Sequence, residues 1–285
     1  MADGSVILVE IARGTLTRVW NGKSEVIATL GGGPNGAALG PDGAMYVCNN
    51  GGFEWYDVDG ILYPGRAAAD YTTGRIERVD LATGRFERIY DKFNGERLGG
   101  PNDIVFDRAG GFWFTDLGKR FARQRDHSSL FYAKPDGSHL VRRVHPVVSF
   151  NGVGLSPDEK IVYCNDTDSG KLWAFDIAAP GELAPAPRIG QRGKVIGSLP
   201  GQQLLDSLAV EANGNVCSAT LLNGGITVFA ADGSSHEHIP LPDPLTTNIC
   251  FGGTDMCDAY ITLSGTGKLI KARWPRPGLK LNFSR

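Results

Sequence analysis

Five segments of this 285-residue chain set one amide or carboxylate side chain at the same point of an otherwise apolar run. They are GPNGAALGPDG from Gly33, GPNDIVFDRAGG from Gly100, SFNGVGLSPDE from Ser149, LLDSLAVEANG from Leu204 and TTNICFGGTD from Thr246. The polar residues are Asn35, Asn102, Asn151, Asp206 and Asn248, separated by 67, 49, 55 and 42 residues. Oxygen donors of this kind, gathered at one point, suit a hard divalent cation, because Ca²⁺ takes carboxylates, Asn carbonyls and waters. Buried and unpartnered, each would cost about 1–3 kcal/mol. A network of bridging waters is the other way to satisfy them.

A second set lies fourteen residues further on: Asn49, Asp116, Asn165, Thr220 and Thr262. All are polar in apolar surroundings, and they read either as a second polar tier or as ordinary polar strand ends. Two long loops follow the first two of them. Residues 51–72 carry Trp55, Tyr56, Tyr63 and Arg66; residues 117–128 carry Lys119, Arg120, Arg123, Arg125 and His127. Long loops on a rigid scaffold commonly set specificity. The cations would favour an anionic or hydroxyl-rich ligand, against the plainer reading of a solvated charged loop. The expected substrate contacts are Asn35, Asn49, Trp55, Arg120 and His127.

The elements that must position these residues are short strands. After each polar segment comes a turn of the Asp-Gly kind, then a run rich in Val, Tyr, Phe and Trp (AMYVCN, GFWFTD, IVYCND, NVCSAT, AYITLS), then a further strand-like run. No stretch holds a period of 3.6 residues, and the 39 Gly match many tight turns. Units of this length, each with four antiparallel strands, predict an all-β chain of six propeller blades. The expected single domain, 1–285, divides at about 1–32 (partial), 33–98, 99–148, 149–203, 204–245 and 246–285. The first unit is short. Its Asp3-Gly4 turn aligns with Asp42-Gly43, so its polar residue would precede Met1, and the first blade is expected to lack its innermost strand. Either the natural protein begins upstream or another group, with Glu10 the nearest carboxylate, fills the gap.

Composition excludes several classes. A net charge of −2 and a pI near 6.2, without a basic stripe, argue against nucleic acid. No apolar run reaches the ~20 residues that span a bilayer, and no leader segment opens the chain. The five Cys lack a CxxC pair, which reads as a reduced, cytoplasmic protein. The five His have no metal-ligand spacing, there is no GxSxG elbow, and GGGPNG precedes no helix pattern, so it is no phosphate loop.

The segments GPNGAALGPDGAMYV, GPNDIVFDRAGGFWFTD, FNGVGLSPDEKIVYCNDT and LLDSLAVEANGNV, in this order, resemble the SMP-30/gluconolactonase/luciferin-regenerating-enzyme family over essentially the whole chain. The resemblance implies a six-bladed propeller that binds one divalent cation and hydrolyses lactones. It implies metal binding by Asn151 and Asp206, with Asp206 also a base, and contact of Asn102 with substrate or metal. Several members carry Arg two positions before that Asn, where this chain has Gly100. The family's acidic ligand in a Glu-Gly-Pro segment belongs to the strand absent here. Ca²⁺ is the expected ion, ahead of Zn²⁺, Mg²⁺ or Mn²⁺. The expected reaction is metal-assisted opening of a small-molecule lactone, with Asp206 or Asp116 activating water and Asn102 in the catalytic set. Organophosphate hydrolysis at the same site, or a nonenzymatic ligand-binding propeller, are the alternatives.

Overall fold

The computed structural model describes residues 1, 3–186, 188–189 and 191–284. The secondary structure is strand and turn throughout, and the described residues contain no helix. Each main sheet runs in sequence order from one strand to the next, antiparallel, and six such sheets make the six-bladed β-propeller that the repeat predicts.

The chain divides into two compact units, Met1–Pro146 with Leu281–Arg285, and Val147–Lys280. In the first unit, sheet one has three strands, Val6–Glu10, Thr15–Trp20 and Lys23–Thr29. Sheet two has four, Pro34–Leu39, Met45–Asn49, Arg75–Val79 and Phe86–Tyr90. Sheet three has Pro101–Phe106, Phe112–Asp116, Ser128–Ala133 and Leu140–Val147. Two hairpins are inserted, Phe53–Val58 with Ile61–Ala67, and Lys92–Phe93 with Glu96–Arg97. In the second unit, sheet four starts with Phe150–Leu155 and Ile161–Asp166, sheet five with Leu204–Val210 and Val216–Leu221, and sheet six is Thr246–Gly252, Asp258–Leu263 and Lys268–Arg273.

In sheet one Val6–Glu10 pairs with Thr15–Trp20, Glu10 facing Thr15. The Glu10 carboxylate is taken up on its own sheet by Arg13, Thr15 and Thr17.

Apolar alternation builds the cores. In the first unit Tyr46, Phe106, Phe112, Phe114 and Phe131 are buried together, with Phe114 stacked on Phe131 at 5.0 Å. The C-terminal residues finish this core: Phe283 packs edge-on against Phe106 at 6.0 Å, and Asn282 Nδ2 donates to the Phe106 carbonyl at 3.1 Å. In the second unit the fully buried Glu211 is the fastener. It accepts from Trp274 Nε1 at 2.7 Å, Arg276 Nε at 2.7 Å and Asn215 Nδ2 at 3.0 Å. Burial alone would raise its carboxyl; those hydrogen bonds outweigh it and hold the pKa below the ordinary value.

Glu211→Ala leaves an indole N–H and an amide without their acceptor and should cost about 2–4 kcal/mol in urea unfolding. Because the folded pKa is depressed, the Glu211 contribution is present above the unfolded value near pH 4.3 and is lost as pH falls through the folded one. The variant should therefore lose less stability than the parent on acidification below about pH 4.5.

Candidate functional site

The innermost strands carry a feature that alternation does not predict. In each of sheets two to five the pairing to the second strand slips at the polar position. In sheet two Pro34 faces Asn49 and Gly36 faces Cys48, which leaves Asn35 out of register. In sheet three the slip falls between Pro101 and Ile104, in sheet four between Phe150 and Val153, and in sheet five between Leu205 and Leu208. Asn102, Asn151 and Asp206 sit in these bulges, each with the residue after it. In sheet six the slip takes Thr247 instead, and Asn248 pairs with Thr262. A β-bulge releases a residue from the ladder and re-aims its side chain.

Glycine after the polar residue has a definite use here. A Cβ on Gly36 would stand 2.4 Å from the Asn102 carbonyl oxygen, and one on Gly152 would stand 2.7 Å from the Asp206 carbonyl oxygen and the Leu208 nitrogen. Neighbouring inner strands thus touch backbone to backbone at the bulges. In the second unit this brings the Asn151 and Asp206 positions side by side. Asn151 is buried and Asp206 half-buried. Asn165 Nδ2 donates to the Asp206 carbonyl at 2.7 Å, and the Asn165 Oδ1 accepts from Ser218 at 2.9 Å, so the strand carrying Asp206 is held from the adjoining blade. Among the described residues no group of three or more His, Cys, Asp or Glu side chains could hold a metal ion. The donors at the pair are instead one carboxylate and one amide.

The residues fourteen positions on are largely spent on the backbone. Asn49 is fully buried: its Oδ1 accepts from Gly33 N at 2.9 Å and Gly51 N at 3.0 Å, and its Nδ2 donates to Gly31 O and to the buried Glu77. Asp116 repeats the arrangement one blade along. It accepts from Gly99 N at 2.8 Å, Gly100 N at 2.6 Å and Gly118 N at 2.9 Å. Burial raises its pKa above the ordinary value, against the pull of those three donors. Both residues therefore tie the entry of an inner strand to the turn that leaves the second strand. Gly100 is part of this packing, since a Cβ there would meet the Gly118 carbonyl at 2.7 Å.

The long loops lie at the same end of the first unit. Trp55 is half-buried in the inserted hairpin, edge-on to Phe53 at 6.1 Å. Arg120 is exposed and its carbonyl accepts from Ala67 N at 2.9 Å, which joins the two loops. His127 is exposed and stands edge-on to His145 at 6.1 Å. Asn35 is half-buried and Asn102 buried. Lys119, which the sequence presents as one more cation of a charged loop, is instead 1% exposed. Its Nζ donates to Gly52 O at 2.6 Å and Asn50 Oδ1 at 3.0 Å, over the Phe53 ring at 3.7 Å. It forms no ion pair among the described residues, and burial lowers its pKa to about 7, with Arg97 adding to the effect and Asp116 and Asp126 opposing it.

The chain belongs to the family described as the SMP-30/Gluconolactonase/LRE-like region, which matches residues 1–265. It is similar to the gluconolactonase of Zymomonas mobilis, 26% identical over 230 residues, which cover 77% of this chain and 58% of that protein. It is similar to lactonase drp35 of Staphylococcus haemolyticus, 27% identical over 211 residues, covering 73% and 57%. The chain thus spans less than two thirds of the length of these curated relatives. Among solved structures, regucalcin from Agrobacterium tumefaciens, a calcium-binding protein, shares the fold with a TM-score of 0.73 at 16% identity, covering 98% of this chain and 91% of that one.

Gly152→Val drives a branched side chain into the Asp206 backbone and should cost about 1–3 kcal/mol in urea unfolding. An unchanged midpoint would show that the two inner strands have room to part.

Proposed function

We propose that this chain opens a sugar lactone or similar cyclic ester to a hydroxy acid, with a divalent cation held by Asn151 and Asp206. The observation that carries the reading is the bulged pair itself, an amide and a carboxylate set side by side by the Gly152 approach. Membership of the family, and relatives named gluconolactonase and lactonase, support the same reaction class. Hard oxygen donors of this kind fit Ca²⁺ better than a thiophilic ion, and the regucalcin neighbour is named calcium-binding. When bound, the ion supplies positive charge that draws electrons from the lactone carbonyl.

The rest falls to side chains. Asp206 is the one carboxylate among the four repeat-equivalent polar residues Asn35, Asn102, Asn151 and Asp206, and it takes the proton of the attacking water. The water oxygen bonds to the carbonyl carbon, the ring C–O bond breaks, and the departing oxygen takes the proton that Asp206 accepted, which gives the product hydroxyl and restores the carboxylate. Asn165 steadies the backbone from which this base projects. Asp116 is a poorer base, since its oxygens already accept three backbone N–H groups; we assign it to holding the loops. Asn102 occupies the equivalent bulge of sheet three.

Purified protein screened against sugar lactones, aliphatic lactones and organophosphates, with Ca²⁺, Mg²⁺, Mn²⁺ or Zn²⁺ and with chelator, tests the proposal. Lactone hydrolysis that disappears with chelator is expected. Asp206→Ala should abolish it and weaken Ca²⁺ binding by calorimetry, while Asn151→Ala, which removes a neutral ligand, should lower affinity more mildly. Full activity in Asp206→Ala would sink the mechanism.

A further inference from the structure

Lys119 is a buried lysine whose amine meets no carboxylate among the described residues, a costly arrangement that a methionine of similar length would avoid. Its position gives the cost a purpose. The turn it grips, Asn50–Gly52, is itself bound to the start of an inner strand, Asn50 N donating to Gly33 O at 2.8 Å, two residues before Asn35. The loop it belongs to is bound to the next inner strand, Leu117 N donating to Gly100 O at 2.9 Å, two residues before Asn102. The same junction carries Tyr71, whose hydroxyl donates to Gly99 O, and Arg97, which forks onto Asp126 at 3.0 and 3.2 Å. Asp126 in turn accepts from the Lys119 backbone N–H.

We propose that Lys119 is a positioning residue for substrate binding, fastening the turn after Met45–Asn49 to the loop after Phe112–Asp116 so that Asn35 and Asn102 are presented in one fixed arrangement. This rests on the lactone-hydrolase reading. The fastening also responds to pH. Closed, the amine is buried and sheds its proton near neutrality; opened to water, it regains the ordinary lysine value near 10.4. Opening therefore takes up a proton between about pH 7 and 10, and the junction closes more firmly as pH rises through that range. The charges facing the amine are Asp116 from the second strand of sheet three, Asp126 from the loop and Arg97 from the small hairpin.

Hydrogen exchange of residues 50–72 and 117–126, corrected for intrinsic base catalysis, reads this directly. In the parent the opening constant should fall between pH 7 and 9, by at most tenfold per unit. In Lys119→Met, which removes a buried charge and should fold at least as stably, it should be flat. Asn50→Asp puts a carboxylate beside Nζ and should move the fall to higher pH, a displacement that a purely structural contact would not give; it also decides the matter if Lys119→Met does not fold. With a hydrolysed lactone, KM of the parent should drop over the same pH range and lose that dependence in Lys119→Met, with kcat within about threefold. A pH-independent parent, or variants that keep its profile, overturn the proposal. Absence of any hydrolysis in the parent overturns the lactonase reading alone, and the exchange profile still decides the role of Lys119.

Discussion

The interruption of pairing on the innermost strands is the constraint on which the rest depends. A regular ladder would alternate its side chains and commit the N–H and C=O of every second inner-strand residue to the second strand. The slips between Pro101 and Ile104, Phe150 and Val153, and Leu205 and Leu208 free two residues against one at the place where Asn102, Asn151 and Asp206 stand. A freed strand can be leaned on, and Gly36 and Gly152 let the next strand do so. The polar residues are thus delivered by backbone geometry, with glycine supplying the clearance.

A bulge has to be held in shape, and the structure spends buried polar groups on that. Asn49 and Asp116 bind the peptide N–H groups that enter the inner strands and those that leave the second strands. Asn165 works across two blades of the second unit, donating to the Asp206 carbonyl and accepting from the Ser218 hydroxyl. Each of these groups would be a liability if left unpaired in the interior. Their full use makes the ends of the strands stiff where the loops 51–72 and 117–128 must be carried.

Much of this could be read from residue order, because the repeat is local. The Asn and Asp of the five segments and the turns after them are matters of spacing, and the six main sheets answer to the all-β repeat that the spacing predicts. Register is different. A slip of one residue leaves no mark on composition, so Asn35 and Asn49 look like two members of one polar population although the first is released and the second is tied down. Lys119 was hidden for a related reason. In a strand, burial follows a period of two; in a loop no period exists, and Lys119 reads like Arg120 beside it, which is exposed. Gly100 is legible only in hindsight, since its clearance belongs to Gly118, far along the chain.

The seating of Asn282 and Phe283 on Phe106 has a consequence for the order of assembly. The hydrogen bond spans 176 residues, and both of its ends belong to the first compact unit. Closing so long a segment carries a loop entropy that contacts within a hairpin do not. During synthesis, sheets one to three can pair as they emerge, yet the edge of Phe106 waits uncovered until residues 147–280 have all been made.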